Sequence, residues 1–519
     1  MKFAIDLYSG IGGWTLGMKL SNIKNCHSYE WWNEANRTHN LNFKTSHQEF
    51  DIRKLDPEKD LEFEHQIDFV VGSPPCTQFS YSNKGGSGNI ADGLIDIYKF
   101  LEVVDYLKPK YWAMENVPRV AKIIESEIVK GSLKKFKHLF TTIEVIDSAD
   151  YGLPQHRKRM IAGNYPFELL NSYKQKTKQK TIKDVMDSLS GKSIQDPNYC
   201  IELPKSSVSE LENEALLTTV ETRINRDSKV FHPIYNKMSF PDRLDRPSGT
   251  ITATCTRLSR ESIIVKSKSG FRRLNVRERG VLQGFPITYQ FYGNSLNSKF
   301  KMIGNAVPPI LTYYVFQSML ETPLEKLKLV HESNYKHQQP KESVKPSKLD
   351  APNRKYPANR RFRFAVPNLR YGSGVRFELS NDSNSNWLFK FFYGNSKNVK
   401  SIDLDSIVLS LIRPKLSIAI SSAAEQFTKK LHREFKDFSS EKLQLLWSSP
   451  HDNNQVFEFI DSIGLSANEL TKVVEEENID YNLIRQVVGD DSKKIKQYKN
   501  SLMSGFILLS SLNERILKS

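Results

Sequence analysis

Residues 68–80, DFVVGSPPCTQFS, constrain the fold of this chain more than any other stretch. Phe69, Val70 and Val71 form the apolar run of a parallel strand covered on both faces, and Gly72-Ser73-Pro74-Pro75 stops it abruptly. Cys76 is therefore presented at a strand's carboxyl end, where open α/β sheets carry their chemistry. The two prolines fix φ and reduce the conformations the loop loses on ordering, which suits a thiol that must be aimed. Behind it, residues 77–93, with Gly85, Gly86 and Gly88, are rich in Gly, Ser and Asn and have the composition of a mobile lid. Taken alone, a cysteine is usually a small buried hydrophobe, so its neighbours decide its role.

Other strand ends carry chemistry too. Residues 3–18, FAIDLYSGIGGWTLGM, read as a strand, a turn through Gly10, Gly12 and Gly13, and an amphipathic helix. Glycines at such a turn let backbone N–H groups approach a ligand, although many strand–turn–helix units use glycine only to turn. The spacing G-x-G-G departs from G-x-G-x-x-G and argues against a nicotinamide cofactor. A second strand ends in Glu30, placed as an acid that holds a ribose hydroxyl pair. Trp31 follows, either to cover an adenine ring or to pack in the core. A third strand end offers Asp51 as acceptor for an exocyclic amine and Ile52 as an apolar wall. Together these ends describe an adenosine pocket, with the thiol one strand further on.

Beyond a helix at 94–108 and a strand at 111–114, Glu115-Asn116-Val117 sets a carboxyl group at another strand end, where it shares a cleft with Cys76. Gln155, Arg157 and Arg159 open a further apolar strand, with the two arginines on one face. The bland alternatives are solvated surface cations for the arginines and a helix N-terminal acid for Glu115. The formal net charge of +16 over 519 residues favours a polyanionic partner without choosing among DNA, RNA and an anionic membrane. Four cysteines without a CxxC pair indicate neither a disulfide framework nor a zinc site, and no metal is expected. No run reaches the apolar length of a membrane span and the start lacks a signal-peptide layout, so the expected location is cytoplasmic.

These residues, in this order, resemble the C5-cytosine DNA methyltransferases. DLYSGIGG matches the family's first cofactor motif, Glu30-Trp31 its ribose and adenine contacts, and SPPC its Pro-Cys nucleophile motif. ENV matches the carboxylate motif and QHRKR the Gln-x-Arg-x-Arg motif, while RRLNVRERGVLQGFP (272–286) and MIGNAVPP (302–309) look like the two closing motifs. The likeness spans about residues 3 to 318. It implies an α/β fold, a doubly wound and mostly parallel sheet of the S-adenosylmethionine methyltransferase type, with an inserted recognition domain and a C-terminal α+β extension. The domains implied are 1–165, completed by 272–325, for catalysis and cofactor; 166–271 for target recognition; a linker at 326–361; and an extension at 362–519 with no assigned role.

By the same resemblance the cofactor is S-adenosylmethionine, leaving as S-adenosylhomocysteine, held by Asp6, Tyr8, Gly10, Gly12, Gly13, Glu30, Trp31, Asp51, Ile52 and Asn305. Catalysis is implied for Cys76, Glu115, Arg157 and Arg159, and nucleic-acid contact for Ser80, Gln155 and Arg157. Cys76 would add to C6 of a flipped cytosine, its pKa lowered by the arginines; Glu115 would protonate N3 and Arg159 hold O2. The partner implied is double-stranded DNA bound by a monomer, with a cognate restriction endonuclease as functional companion. The sequence Ser73-Pro74-Pro75-Cys76-Thr77 departs from the family's Pro-Cys-Gln and is reminiscent of its tRNA-methylating branch, so an RNA cytosine methyltransferase is the alternative enzyme. A non-catalytic nucleic-acid-binding module is the alternative of another class.

The family pattern stops soon after Tyr314. Residues 331–361 have the polar, basic, proline-bearing composition of a linker. Alternating residues then suggest antiparallel strands, followed by helical patterns from Ala423 onward. Arg360, Arg361, Arg363, Arg370 and Arg376, interleaved with Phe362, Phe364 and Tyr371, suit either an added nucleic-acid surface or the charged face of a structural domain.

Overall fold

The structure is a computed structural model that describes residues 1–79, 88–230, 238–352, 356–371, 374–395, 398–449, 454–477, 479–489 and 493–517. It divides into two compact units, Met1–Ala215 with Pro241–Asp350, and Leu216–Phe240 with Ala351–Ser519.

The first unit is built on a six-stranded sheet of β1 (Phe3–Leu7), β2 (Lys24–Tyr29), β3 (Phe69–Gly72), β4 (Tyr111–Asn116), β5 (Thr142–Asp147) and β6 (Lys158–Gly163), in the order β2-β1-β3-β4-β6-β5. β1, β2, β3 and β4 pair parallel, and β6 is antiparallel to both β4 and β5. Strand alternation feeds two cores. Ala4, Phe69, Val71 and Ala113 pack on one face, and Ile5, Val70, Trp112 and Met114 on the other. Helices α1 (Gly13–Leu20), α2 (Asn33–Phe43), α3 (Pro57–Asp60), α4 (Ile90–Leu107) and α5 (Arg119–Lys130) make the connections. This is the expected α/β sheet, mostly parallel and covered on both sides.

After β6 come α6 (Phe167–Ser172), α7 (Ile182–Ser188), the hairpin of β7 (Ser193–Gln195) and β8 (Glu202–Pro204), and α8 (Thr219–Val230). A second hairpin, β9 (Ile264–Ser267) and β10 (Gly270–Arg273), leads to α9 (Val276–Leu282), α10 (Leu296–Asn305) and α11 (Pro309–Met319). α11 returns against α1 at two glycines. A Cβ on Gly13 would lie 2.1 Å from the Val307 carbonyl oxygen, and one on Gly17 2.3 Å from Thr312 Oγ1, which donates to Gly13 O at 2.9 Å. The last motif thus packs beside the first.

Two boundaries differ from the sequence reading. Residues 166–271 do not form one body, because 216–240, including α8, belong to the second unit. Residues 326–350 are not a free linker but a strap on the first unit. Tyr292 Oη donates to Glu342 O at 2.7 Å, Lys299 Nζ donates to Lys345 O at 3.0 Å, and Arg273 pairs with Asp350 at 2.9 Å. Polar composition suggested solvent exposure, yet it is the strap's backbone carbonyls that satisfy buried donors.

The second unit has an antiparallel meander, β11 (Arg363–Arg370), β12 (Arg376–Asn381), β13 (Trp387–Asn395) and β14 (Asn398–Asp403). Its helices are α8 and α12 (Ser406–Ile412), α13 (Ile418–Glu434), α14 (Ser440–Ser448), α15 (Gln455–Glu476), α16 (Tyr481–Val488), α17 (Lys493–Gln497) and α18 (Lys499–Leu512). α15 is the apolar centre, burying Val456, Phe457, Phe459, Ile460, Ile463 and Leu470. Among the described residues no helix is long and apolar enough to cross a membrane.

Candidate active site

β6 decides where the site lies. Being antiparallel, it brings its amino end to the edge where β1, β2, β3 and β4 end. Met160 pairs with Asn116 and Ile161 with Glu115, so Arg159 and Glu115 are diagonal neighbours on one face. Arg159 Nε lies 2.8 Å from Glu115 Oε1, and both side chains are nearly buried. Arg159 spends a second donor on Lys158 O at 2.7 Å.

Cys76 sits half-buried above the end of β3. Hydrogen bonds on both sides of it hold its loop. Asn116 Nδ2 donates to Pro74 O at 3.1 Å, Trp14 Nε1 donates to Ser73 Oγ at 3.1 Å, and Phe79 N donates to Cys76 O at 3.0 Å. Phe79 is itself buried, and its ring blocks any side chain at Gly93. Burial raises the Cys76 thiol above the ordinary range and the Glu115 carboxylate adds to that, while Arg159 and, more weakly, Arg157 pull it down. The expected lowering of the thiol is thus reversed. The arginines act in the expected direction, but loss of water around the sulfur outweighs them.

Arg157 and Gln155 are fully buried and turn inward. Arg157 donates to Ile251 O at 3.0 Å, Gly304 O at 2.8 Å and Ala306 O at 3.0 Å, and burial lowers its pKa well below the usual value. Gln155 donates to Leu282 O and Gln283 Oε1 and accepts from Ile251 N. Neither offers a group to a nucleic acid, contrary to the sequence expectation. Alternation placed the arginines on one face, and segments about 90 to 150 residues later in the chain cover Arg157. Ser80, like Gly85 and Gly86 of the expected lid, lies outside the described residues; at Gly88 a Cβ would lie 2.2 Å from Gln78 O.

The nucleoside side of the edge begins at the β1 turn. Gly10 has φ +54 with no atom within 4 Å of a would-be Cβ, so the space above the turn is open. Gly12, at φ +85, has Phe43 and His39 packed where a side chain would go. Glu30 is buried and accepts from Gly10 N at 2.8 Å and from Trp32 N at 2.7 Å, and the Trp31 amide also donates to it, which leaves the carboxylate one further lone pair. Trp31 is 64% exposed, which excludes the core alternative for it. Asp51 is exposed and caps a short turn through Arg53 N, Ile52 is buried, and Asn305 is exposed at the end of α10. An open glycine turn, a carboxylate with a spare lone pair and an uncovered indole fit an adenosyl group. Two side chains of the first motif face away. Asp6 is buried against Thr15, and burial pushes its pKa up to about 8. Tyr8, held at φ 56, donates to Asp96 O at 3.1 Å. A cavity of about 550 Å³ lined by Cys26, His27, Tyr29, Phe50 and Phe63 runs along the outer edge of β2 and includes none of these site residues.

Sequence reasoning missed two supports. Asn116, quoted with Glu115 but given no role, ties the nucleophile's loop to the carboxylate's strand. Arg53 donates from Nε and a terminal nitrogen to Asp96 at 2.9 and 2.7 Å and pairs with Asp92 at 2.9 Å, while Gln78 donates to Asp92 at 3.1 Å. It therefore joins the turn after Asp51 to the loop after Cys76. A lone arginine after Asp51-Ile52 carried no signal of this.

An α/β sheet with a cysteine, a carboxylate and an arginine at one edge beside an open glycine turn is the arrangement of an enzyme of the methyltransferase type. The family model described as C-5 cytosine-specific DNA methylase matches residues 1–321, and the chain belongs to that family. Its activity is DNA cytosine-5 methylation, and this takes the DNA reading over the RNA and non-catalytic alternatives. The chain is similar to the Type II methyltransferase M.FnuDI of Fusobacterium nucleatum, 26% identical over 351 residues, 64% of this chain and 98% of the relative. Similarity to M.NgoPII of Neisseria gonorrhoeae is also 26%, covering 61% and 95%. Among solved structures, the Dnmt2 methyltransferase of S. pombe is 18% identical, covers 62% of this chain and 99% of its own, and has a TM-score of 0.45.

Proposed function

We propose that the chain takes its methyl group from S-adenosylmethionine and delivers it to C5 of a cytosine swung out of duplex DNA, through a transient bond between Cys76 and C6. The observation that carries this reading is the nearly buried Arg159–Glu115 pair within electrostatic reach of a half-buried, loop-clamped thiol. Cytosine C5 is too weak a nucleophile to be methylated directly, and thiolate addition at C6 makes it an enamine carbon. In this scheme addition forms the S–C6 bond and moves one proton from sulfur to N3, with Glu115 as relay and Arg159 fixing that carboxylate. Gly10, Glu30, Trp31, Asp51, Ile52 and Asn305 hold the donor, which supplies an electrophilic methyl group when bound. Loss of the C5 proton to a base then expels Cys76 as thiolate, and return of the N3 proton to the sulfur by way of Glu115 restores the neutral ring and the thiol. Arg157 works behind the site, holding the 304–306 turn and lending charge to the thiol.

The relatives' names suggest that the enzyme protects its host's DNA beside a cognate endonuclease. Bisulfite sequencing of DNA from an expressing host tests the scheme, with protected cytosines expected in one short sequence for the wild type and none for Cys76→Ser. Near wild-type methylation by that variant refutes the covalent route. Glu115→Gln is expected to lose a factor of about 10² or more in rate.

A further inference from the structure

The family match ends at residue 321, yet the chain crosses between its two units three times, at 215–216, 240–241 and 350–351. The segment 216–240 leaves the first unit from inside the stretch read above as the target-recognition segment and becomes part of the second unit's fold. Its helix α8 is fixed at the start by a reciprocal cap, Glu221 N to Thr218 Oγ1 at 3.2 Å and Thr218 N to Glu221 Oε2 at 3.0 Å. One turn on, Arg223 donates to both carboxylate oxygens of Asp461 on α15, each at 2.6 Å, and its guanidinium lies 4.3 Å from the Phe457 ring centroid. Ile224, Asn225 and Lys229 are buried, and Asp227 supports the charge of half-buried Arg370 on β11. α15 in turn packs backbone-close on β11, where a Cβ on Gly464 would lie 2.4 Å from Pro367 O.

We propose that the second unit is a specificity clamp: it folds around α8, a helix that interrupts the recognition segment in the chain, and that hold on α8 sets how well the segment reads DNA. This rests on reading residues 166–271 as the DNA-reading segment. Arg223 and Ile224 are positioning residues, since neither touches the thiol, the donor pocket or the base. A bidentate pair stacked on a buried ring resists rotation of the helix in a way that a single hydrogen bond does not. The clamp acts on α8 and not on the donor pocket, so losing it reduces site-specific methylation while the glycine turn and Glu30 keep their hold on the donor.

The test uses the full-length chain and the double variant Arg223→Asp/Ile224→Asp. Three quantities are read: hydrogen exchange over 219–230, binding of S-adenosylhomocysteine by calorimetry, and methylation of phage λ DNA with labelled S-adenosylmethionine followed by bisulfite sequencing. Protection over 219–230 is expected to vanish and methylation at the wild-type site to fall at least about tenfold, the equivalent of 1.4 kcal/mol, with S-adenosylhomocysteine affinity within about twofold on that same scale. The charge swap Arg223→Asp/Asp461→Arg is expected to keep protection over 219–230 and site methylation together, whereas Arg223→Asp alone lowers both. Lost protection with unchanged methylation overturns the proposal. So does retained protection, because these two side chains are its anchor. A wild-type chain that leaves DNA unmethylated would instead overturn the function on which the clamp depends.

Discussion

Arg157→Ala separates two accounts of the same arginine. In the structure its guanidinium satisfies three buried carbonyls, at Ile251, Gly304 and Ala306. Orphaning a buried acceptor costs about 1–3 kcal/mol, so three would cost up to about 9 kcal/mol. Water entering the space the side chain leaves, and relief from burying a guanidinium, bring the expected loss to about 3–5 kcal/mol. With an unfolding entropy of about 0.7 kcal/mol per kelvin for a unit of this size, that is a melting shift of about 4–7 °C. Freed from its anchor, the 304–306 turn would also weaken donor binding. A phosphate contact would behave differently, leaving stability intact and reducing the slope of log affinity against log salt by about 1. Calorimetric melting together with DNA binding at several salt concentrations decides. A variant that melts with the wild type but has a shallower salt slope refutes the buried-clamp reasoning.

Three further outcomes follow from single contacts. Because burial raises the Cys76 thiol above the ordinary range, iodoacetamide should label it slowly at neutral pH in the free protein and faster as pH rises. Peptide-level mass spectrometry separates it from exposed Cys200, and full reactivity already below pH 8 would contradict the reasoning. Gly13→Ala sets a methyl group against the Val307 carbonyl oxygen and should cost about 1–3 kcal/mol in thermal unfolding, an unchanged melt counting against the close approach of α1 to that segment. Arg53→Met removes the charged tie to Asp96 and Asp92 and should raise the KM for donor about tenfold with kcat little changed; a fall in kcat alone would place Arg53 in the chemistry instead.

The sheet was legible because Ala4 and Ile5, or Val70 and Val71, serve opposite cores, and a run of such residues reads as a strand covered on both faces. Cys76 was legible for a related reason, since Pro74-Pro75 must end that strand. Arg157 and Gln155 were not. Their partners lie at Ile251, Gln283 and Gly304, and nothing local says that a strand's charged end will be roofed by segments that much later in the chain. In the second unit the partners of the arginines were equally out of sight. Arg360 lies 3.7 Å from the ring centroids of both Tyr356 and Trp447, Arg361 donates to Asn381 O, and Arg363 and Arg376 both pair with Glu378. A basic, aromatic-rich sequence is equally the signature of guanidinium groups stacked within a fold. The helix α8 was hidden because its apolar partners, among them Phe457, lie more than 200 residues away.

A nucleophile held neutral at rest looks counterproductive for an enzyme that needs a thiolate, and on the proposed mechanism it has a use. A free thiolate at the open edge of a sheet would react with any electrophile, including the donor's methyl group, before DNA arrived. Burial suppresses that anion more strongly than Arg159 and Arg157 favour it, so the thiol stays protonated until its surroundings change. A cytosine entering the site takes up the proton that leaves sulfur, by way of a carboxylate that Arg159 already holds in place. Deprotonation is then coupled to the arrival of the base that will be attacked, and the two arginines supply the positive charge in advance of the anion they stabilise.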